Sequence, residues 1–246
     1  MKADPAHQVA LLDVAELDSR TAQLRHQRAH LPELAEISAL ESERTSITDQ
    51  VRDARIVVDD LTVEQAKADR EVEQVKARRE RDRSRMDSGQ ITNPKDLERM
   101  QHELVSLERR ITTLEDAELE VMEALEEAQQ TLDGLGIRSE DLDTRLAELV
   151  TARDEKQAQV DASLAEVEAA RHPAVDGLPG DLLALYERLR DQKGIGAALL
   201  RARQCGGCQL TLDASEIARI RAAAPDEVIR CEECQRILVR TDESGL

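Results

Sequence analysis

The chain has 246 residues with no Phe, no Trp and a single Tyr, Tyr186. Its 34 Lys and Arg stand against 52 Asp and Glu, a net charge of −18. Aromatic rings bury the largest apolar area per side chain, so this composition argues against sandwiches, doubly wound sheets and large barrels. It suits a mainly α protein built from long, solvated helices. No run of about 18 apolar residues suggests a membrane span. The start, Met1-Lys2-Ala3-Asp4-Pro5, leads into charged helix rather than a secretory apolar stretch, which makes the cytoplasm the expected location.

Taken in chain order, residues 6–86 predict a first long helix. Leu40, Ile47, Ala54, Leu61, Ala68 and Val75 recur every seven residues, with Ile37, Val51, Val58 and Val72 at the partner position. The earlier series Leu17, Leu24, Leu31 is out of phase with that run, so a kink or restart is expected near Pro32. Residues 87–94 form the turn. Gly89 supplies its tight bend, Asn93 suits the N-cap of the next helix, and Pro94 suits the first helical position. Asp96 is placed to return its carboxylate to the cap.

Residues 95–171 predict the second helix. Leu97, Leu104, Ile111, Glu118, Leu125 and Leu132 hold one seam position; Met100, Leu107, Leu114, Val121 and Ala128 hold the other. Gly134 and Gly136 are candidates for a bend. Two arms of similar length, each roughly 120 Å at the helical rise, joined by a short turn predict a long antiparallel coiled-coil hairpin over residues 1–171. Pro and Gly then crowd into His172–Gly180, read as a linker that separates two independently stabilised domains. Residues 181–246 should hold a short amphipathic helix from Asp181 to Gln192 and a small β-rich module.

All four cysteines lie in that module. Cys205-Gly206-Gly207-Cys208 and Cys231-Glu232-Glu233-Cys234 are separated by 22 residues. Two close pairs with such a gap can place four thiolates at the corners of a tetrahedron around one zinc ion. An iron centre of rubredoxin type would use the same ligands. Two structural disulfides or a redox pair fit a reducing compartment and this spacing less well. Four thiolates leave no open coordination position, so the metal is structural. The gap predicts a helix over Ala214–Ala223 capped by Asp213, with strands at Gln209–Leu212 and Arg236–Arg240.

Taken together, Ser88–Leu97, Leu185-Tyr186-Glu187-Arg188-Leu189-Arg190, the two cysteine pairs and Cys234-Gln235-Arg236-Ile237-Leu238 resemble the bacterial C4-type zinc-ribbon proteins with an N-terminal coiled-coil hairpin. The resemblance implies a non-enzymatic cytoplasmic protein that binds nucleic acid or acts as a protein adaptor. The sequence departs from the usual glycine after each second cysteine, with Gln209 and Gln235 there instead.

Charge is distributed unevenly. Residues 76–85 hold six cations and two anions, whereas residues 101–170 hold six cations and nineteen anions. A basic tip on an acidic shaft makes Arg78, Arg81, Arg83, Arg85, Lys95 and Arg99 candidate contacts for a polyanion or an acidic protein surface. Arg79 falls on the seam, where its stem packs and its charge reaches outward. The module over residues 201–240 is nearly neutral, and Arg201, Arg203, Arg236 and Arg240 are its candidate nucleic-acid contacts. No catalytic constellation appears: the five histidines show no ligand spacing with carboxylates, and Gly194-Ile195-Gly196 is too short for a phosphate loop. Neither a small-molecule substrate nor a membrane partner is expected.

Overall fold

The computed structural model describes all residues, 1–246. Helix α1 (Pro5–Ala29) starts where Pro5 pre-sets the backbone and the Asp4 carboxylate accepts from the Ala6 N–H at 2.7 Å. It ends at His30, and α2 (Pro32–Asp87) restarts at Pro32, where the heptad phase slips. Helix α3 (Pro94–Asp176) runs unbroken through Gly134 and Gly136. Both glycines face open space, so they cost about 1 kcal/mol each in helix propensity without changing the chain's course. Residues divide into two compact units, Glu36–Leu149 and Met1–Ala35 with Val150–Leu246.

In the unit Glu36–Leu149, α2 and α3 run antiparallel. Ile37, Ile47 and Val72 are buried from one arm; Leu107, Ile111, Leu114, Leu125, Leu142 and Leu146 are buried from the other. All of them lie on the expected seam phases. Each buried Leu or Ile contributes roughly 1.5–3 kcal/mol. Exposed ion pairs between the arms contribute about 0–1 kcal/mol each, so burial supplies the stability and the pairs favour one register. Those pairs are Arg44–Asp143 at 2.7 Å, Arg138–Glu43 at 3.3 Å, Lys76–Glu115 at 2.8 Å, Arg78–Glu103 at 2.6 Å and Arg79–Glu108 at 3.1 Å. The partners' numbers add up to nearly the same value each time, the signature of antiparallel pairing. Arg79 behaves as its seam phase predicts: the side chain is half-buried and its Nη1 reaches Glu108.

The other unit gathers α1, the end of α3, α4 (Gly180–Lys193) and the cysteine module. Leu11, Val14 and Ala15 of α1 pack with Leu182, Tyr186 and Leu189 of α4. The chain's single tyrosine ring is fully buried there. Its hydroxyl donates to Asp18 Oδ2 at 2.7 Å, and Arg171 Nε donates to Asp18 Oδ1 at 2.7 Å. Arg171 also reaches Glu187 at 2.6 Å, so one buried carboxylate ties together α1, α3 and α4. Burial, and then the hydrogen bond to Asp18, push the Tyr186 hydroxyl well above the usual phenol range. Gly196 passes directly over this ring, where a Cβ would collide with the Tyr186 carbonyl.

After α4 ends at Gly194 (φ 84°), a four-stranded sheet forms from β1 (Ala197–Arg201), β2 (Gln204–Cys205), β3 (Ile229–Arg230) and β4 (Ile237–Val239), in the order β2-β1-β4-β3. β1 pairs parallel with β4, Ala197 opposite Ile237 and Leu199 opposite Val239. Alternation then gives the sheet two working faces. Ala197, Ile237 and Val239 join the α1–α4 core; Ala198, Leu200 and Leu238 join a second core with Ile217, Ile220 and Ile229 around the cysteines. Helix α5 (Ala214–Ala222) is capped by Asp213 as predicted. The N-terminus also docks here: Ala3 N–H donates to Asp226 O at 2.8 Å and Val228 N–H to Met1 O at 3.1 Å.

Two sequence expectations are corrected. His172–Gly180 is not a linker: α3 continues through Pro173 to Asp176, and only residues 177–179 separate it from α4. A proline inside a helix costs about 3 kcal/mol, but Ala174, Val175 and Leu178 pack against the α1–α4 core and offset that cost. The C-terminal module is therefore not independent of the hairpin's base. Gln209–Leu212 makes no strand; Thr211 forms one isolated bridge to Gln204.

One seam position stands out. Burial, then hydrogen bonding and repulsion from Asp69, raise the Glu118 carboxyl above its usual range, with Lys76 opposing and Glu115 adding to the effect. A carboxyl whose pKa is raised on folding contributes stability below its unfolded pKa and loses that contribution as pH rises through the folded value. Glu118→Gln is therefore expected to raise the Tm at pH 7 and to leave it nearly unchanged near pH 4. Thermal melts at the two pH values check this, and an equal shift at both would refute the assignment.

Candidate metal centre and hairpin tip

Each cysteine pair is presented by a tight backbone loop, and the two loops are built alike. In the first, Cys205 N–H donates to Leu210 O at 3.0 Å and Gln209 N–H to Cys205 O at 2.7 Å. In the second, Cys231 N–H donates to Arg236 O at 3.0 Å and Gln235 N–H to Cys231 O at 2.9 Å. Closing such a loop takes one left-handed residue just after the second cysteine. Gln209 (φ 60°) and Gln235 (φ 65°) both adopt that conformation, at a cost of about 1 kcal/mol each relative to glycine. This is what the departure from glycine means physically.

The parallel β1–β4 pairing brings the loops face to face. The four sulfurs lie within 4.8 Å of one another, with Cys205 Sγ 3.8 Å from Cys234 Sγ and Cys208 Sγ 3.9 Å from Cys231 Sγ. A tetrahedral zinc site with Zn–S bonds of about 2.3 Å has sulfur edges of about 3.8 Å, whereas a disulfide needs about 2.05 Å. The donor set and spacing thus fit one structural Zn²⁺. Burial pushes the Cys205 thiol up to about 12 and raises Cys231 as well. Burial acts in the same direction on Cys234, but donation from the Arg236 N–H and neighbouring groups outweighs it and brings that thiol to about 7.

The ribbon arginines offered by the sequence as nucleic-acid contacts are bound internally. Arg201 pairs with Glu243 at 3.0 Å, and Arg203 Nε donates to Gly245 O at 2.9 Å. Arg236 donates to three carbonyls, and Arg240 to the carbonyls of Ile220, Ala223, Ala224, Pro225 and Glu227 that close off α5. The sequence also gave no sign of the C-terminal strap. Ala202 and Arg203 turn from β1 into β2 with positive φ (45° and 62°), and their N–H groups donate to Glu243 O and Ser244 O. Those partners lie about forty residues away, where no local pattern reaches.

At the tip, Gly89 sits at φ 68° and Asn93 Oδ1 accepts from the Lys95 N–H at 3.1 Å, with Pro94 opening α3. Asp96 does not close the cap; it lies 3.9 Å from Arg99. The six candidate cations differ. Arg78 is engaged by Glu103 and by Asp82, Arg85 lies 3.9 Å from Asp82, and Arg81, Arg83 and Lys95 are exposed with no carboxylate partner. Arg81 and Arg85, one helical turn apart, line a shared groove of about 530 Å³ with Ala77, Glu80 and Ser84. A second hollow of about 590 Å³ is lined by Arg85, Ile91, Thr92, Asn93, Arg99 and Met100 among others.

Comparison with known proteins agrees with this architecture. The CT398-like coiled coil hairpin domain matches residues 14–194, and a C4-type zinc ribbon domain matches residues 204–238. The chain belongs to the CT398-like coiled-coil hairpin family. An uncharacterised protein of Mycobacterium tuberculosis H37Rv is 38% identical over 244 residues, 98% of each chain. One from Mycobacterium leprae is 28% identical over 232 residues, 89% of this chain and 94% of its own. A solved Mycobacterium smegmatis structure superposes with a TM-score of 0.85 at 35% identity, covering 98% of this chain and 100% of that one. CT398 of Chlamydia trachomatis shares the fold, with a TM-score of 0.68 at 16% identity over 95% of this chain and 97% of its own. The matched ribbon region contains all four cysteines.

Two measurements check the metal centre. Because Cys205 and Cys231 hold their protons at neutral pH, zinc binding at pH 7 is expected to release at least about two protons and to tighten as pH rises. Titration of the apoprotein in weak buffer reads this directly. Cys231→Ser should abolish stoichiometric zinc and unfold the ribbon. It should also loosen α1 and α4, because the sheet is shared with their core, while Glu36–Leu149 keeps its helical signal. Hydrogen exchange confined to the ribbon would contradict the shared core.

Proposed function

We propose that this protein is a non-enzymatic, cytoplasmic nucleic-acid-binding factor that grips phosphates with its hairpin tip. The observation that carries this reading is the local excess of cations at the tip, several of them unpaired: residues 76–85 hold six cations and two anions, whereas residues 101–170 hold six cations and nineteen anions. Along the arms Arg44, Arg78 and Arg138 face carboxylates of the opposite helix, and unpaired cations such as Arg109 and Arg110 sit on that acidic shaft. On the ribbon the candidate arginines are bound by backbone carbonyls or Glu243. Arg81, Arg83 and Lys95 are free of carboxylates, and Arg85 and Arg99 are held only at 3.9 Å. Uncompensated cations release counterions when they meet phosphates, whereas the acidic shaft repels the same polymer. Four thiolates that fill a tetrahedral site support a structural rather than a catalytic metal, and free zinc-binding thiols suit a reducing compartment.

A protein contact is the second reading, favoured at the ribbon. There Leu210 stands 51% exposed beside the first cysteine loop, and no aromatic ring is present on which a base could stack.

The test compares Arg81→Gln/Arg85→Gln/Lys95→Gln with Arg78→Gln in binding to a labelled single-stranded RNA and a labelled duplex DNA across a salt series. Each lost phosphate contact should flatten the salt slope by about one, so the triple variant should lose about two to three while Arg78→Gln stays close to the parent. Equal slopes for all three proteins would remove the tip from nucleic-acid binding and leave the adaptor reading.

A further inference from the structure

The two cysteine loops are equivalent in their backbone bonds but not in the residue that closes each. Leu210 closes the first and Arg236 the second, through the same Cys N–H to carbonyl bond at 3.0 Å. Leu210 projects into solvent, whereas the Arg236 side chain turns back across the site. Its Nη1 donates to Gly207 O at 3.1 Å, between the two cysteines of the opposite loop. Its Nε donates to Ile195 O at 3.1 Å and its Nη2 to Lys193 O at 2.7 Å, both at the C-terminal end of α4. The stem is fitted as closely as the head. A Cβ on Gly207 would lie 2.8 Å from Arg236 Cδ and 3.1 Å from Ala198 Cβ.

We infer that Arg236 is a positioning residue for the zinc ion: one planar guanidinium latches the two cysteine loops to each other and to the end of α4. No other side chain donates to both the opposite cysteine loop and a helix of the α1–α4 core. Neighbouring cations serve other bonds: Arg219 pairs with Glu232 at 3.0 Å, and Arg230 donates to Gln235 O within its own loop. The latch needs the arginine fork. A lysine offers one ammonium where three carbonyls arrive from two segments, so charge alone does not replace it. A zinc tetrathiolate carries about −2, and the Arg236 cation beside Cys234 offsets part of that charge.

The experiment measures zinc transfer to a chromogenic chelator from the zinc-loaded protein. The variants are Arg236→Lys, Arg236→Gln and, as a charge control whose side chain pairs with Glu243 and donates to neither cysteine loop, Arg201→Gln. Zinc affinity should fall by about 10–100-fold in Arg236→Gln and substantially in Arg236→Lys, with Arg201→Gln unchanged. Cobalt-loaded samples give a second readout: the thiolate-to-cobalt charge-transfer band should move in Arg236→Gln and stay in place in Arg201→Gln. Zinc retention by both Arg236 variants equal to the parent would overturn the inference. So would an Arg236→Lys protein that stays unfolded at saturating zinc, since the residue would then hold the fold rather than the metal.

Discussion

The parallel pairing of β1 with β4 is the constraint on which the C-terminal half of the chain depends. Three register pairs, from Ala197 opposite Ile237 to Leu199 opposite Val239, bring together two cysteine loops whose positions in the chain are separated by more than twenty residues. The same strands place Ile237 and Val239 against α1 and α4 and turn Leu238 toward the zinc site. A strand this short has no stability of its own. It persists because both faces are buried, one by helices and one by the metal-centred core. Zinc binding and helix packing are coupled through it.

The polar bonds around that sheet fall into a pattern. Two buried polar groups there have good partners: Asp18 accepts from Tyr186 and Arg171, and the Ser244 hydroxyl, 1% exposed, donates to Leu200 O. Leaving any of these groups without a partner would cost more than the bond itself contributes. Among the ribbon arginines, Arg203, Arg230, Arg236 and Arg240 close carbonyls that helix ends and loops leave open, while Arg201 and Arg219 pair with Glu243 and Glu232. A module of near-neutral charge thus presents few free cations, although its composition contains seven arginines.

Along Glu36–Leu149 the logic is different, because water competes for every charge. Apolar seam positions hold the arms together and exposed ion pairs select the register. Glu118 breaks the seam with a carboxyl facing Asp69, a local loss of stability that the flanking leucines carry. Toward the turn cations outnumber carboxylates, six to two over residues 76–85, and Arg81, Arg83 and Lys95 have no carboxylate partner. The tip's electrostatic character arises from this local excess, because unpaired arginines such as Arg109 and Arg110 also occur on the acidic shaft.

The helices, their antiparallel pairing, the turn at Gly89–Pro94 and the four zinc ligands were legible in the sequence. Each rests on local spacing: apolar residues every three or four positions, a cap followed by proline, and cysteines three apart in two close pairs. Long-range decisions were not legible. Pro173 reads as a helix breaker until Ala174 and Val175 find the α1–α4 core, so the linker dissolves only in three dimensions. Arg236 and Arg240 read as free cations until the carbonyls they close come into reach from 13 to 43 residues away. By itself the sequence determined periodicity and chelation, because both are encoded by neighbours along the chain. Only the tertiary structure decided which charges are spent and which stay free, because a charge is neutralised by whatever folding brings beside it.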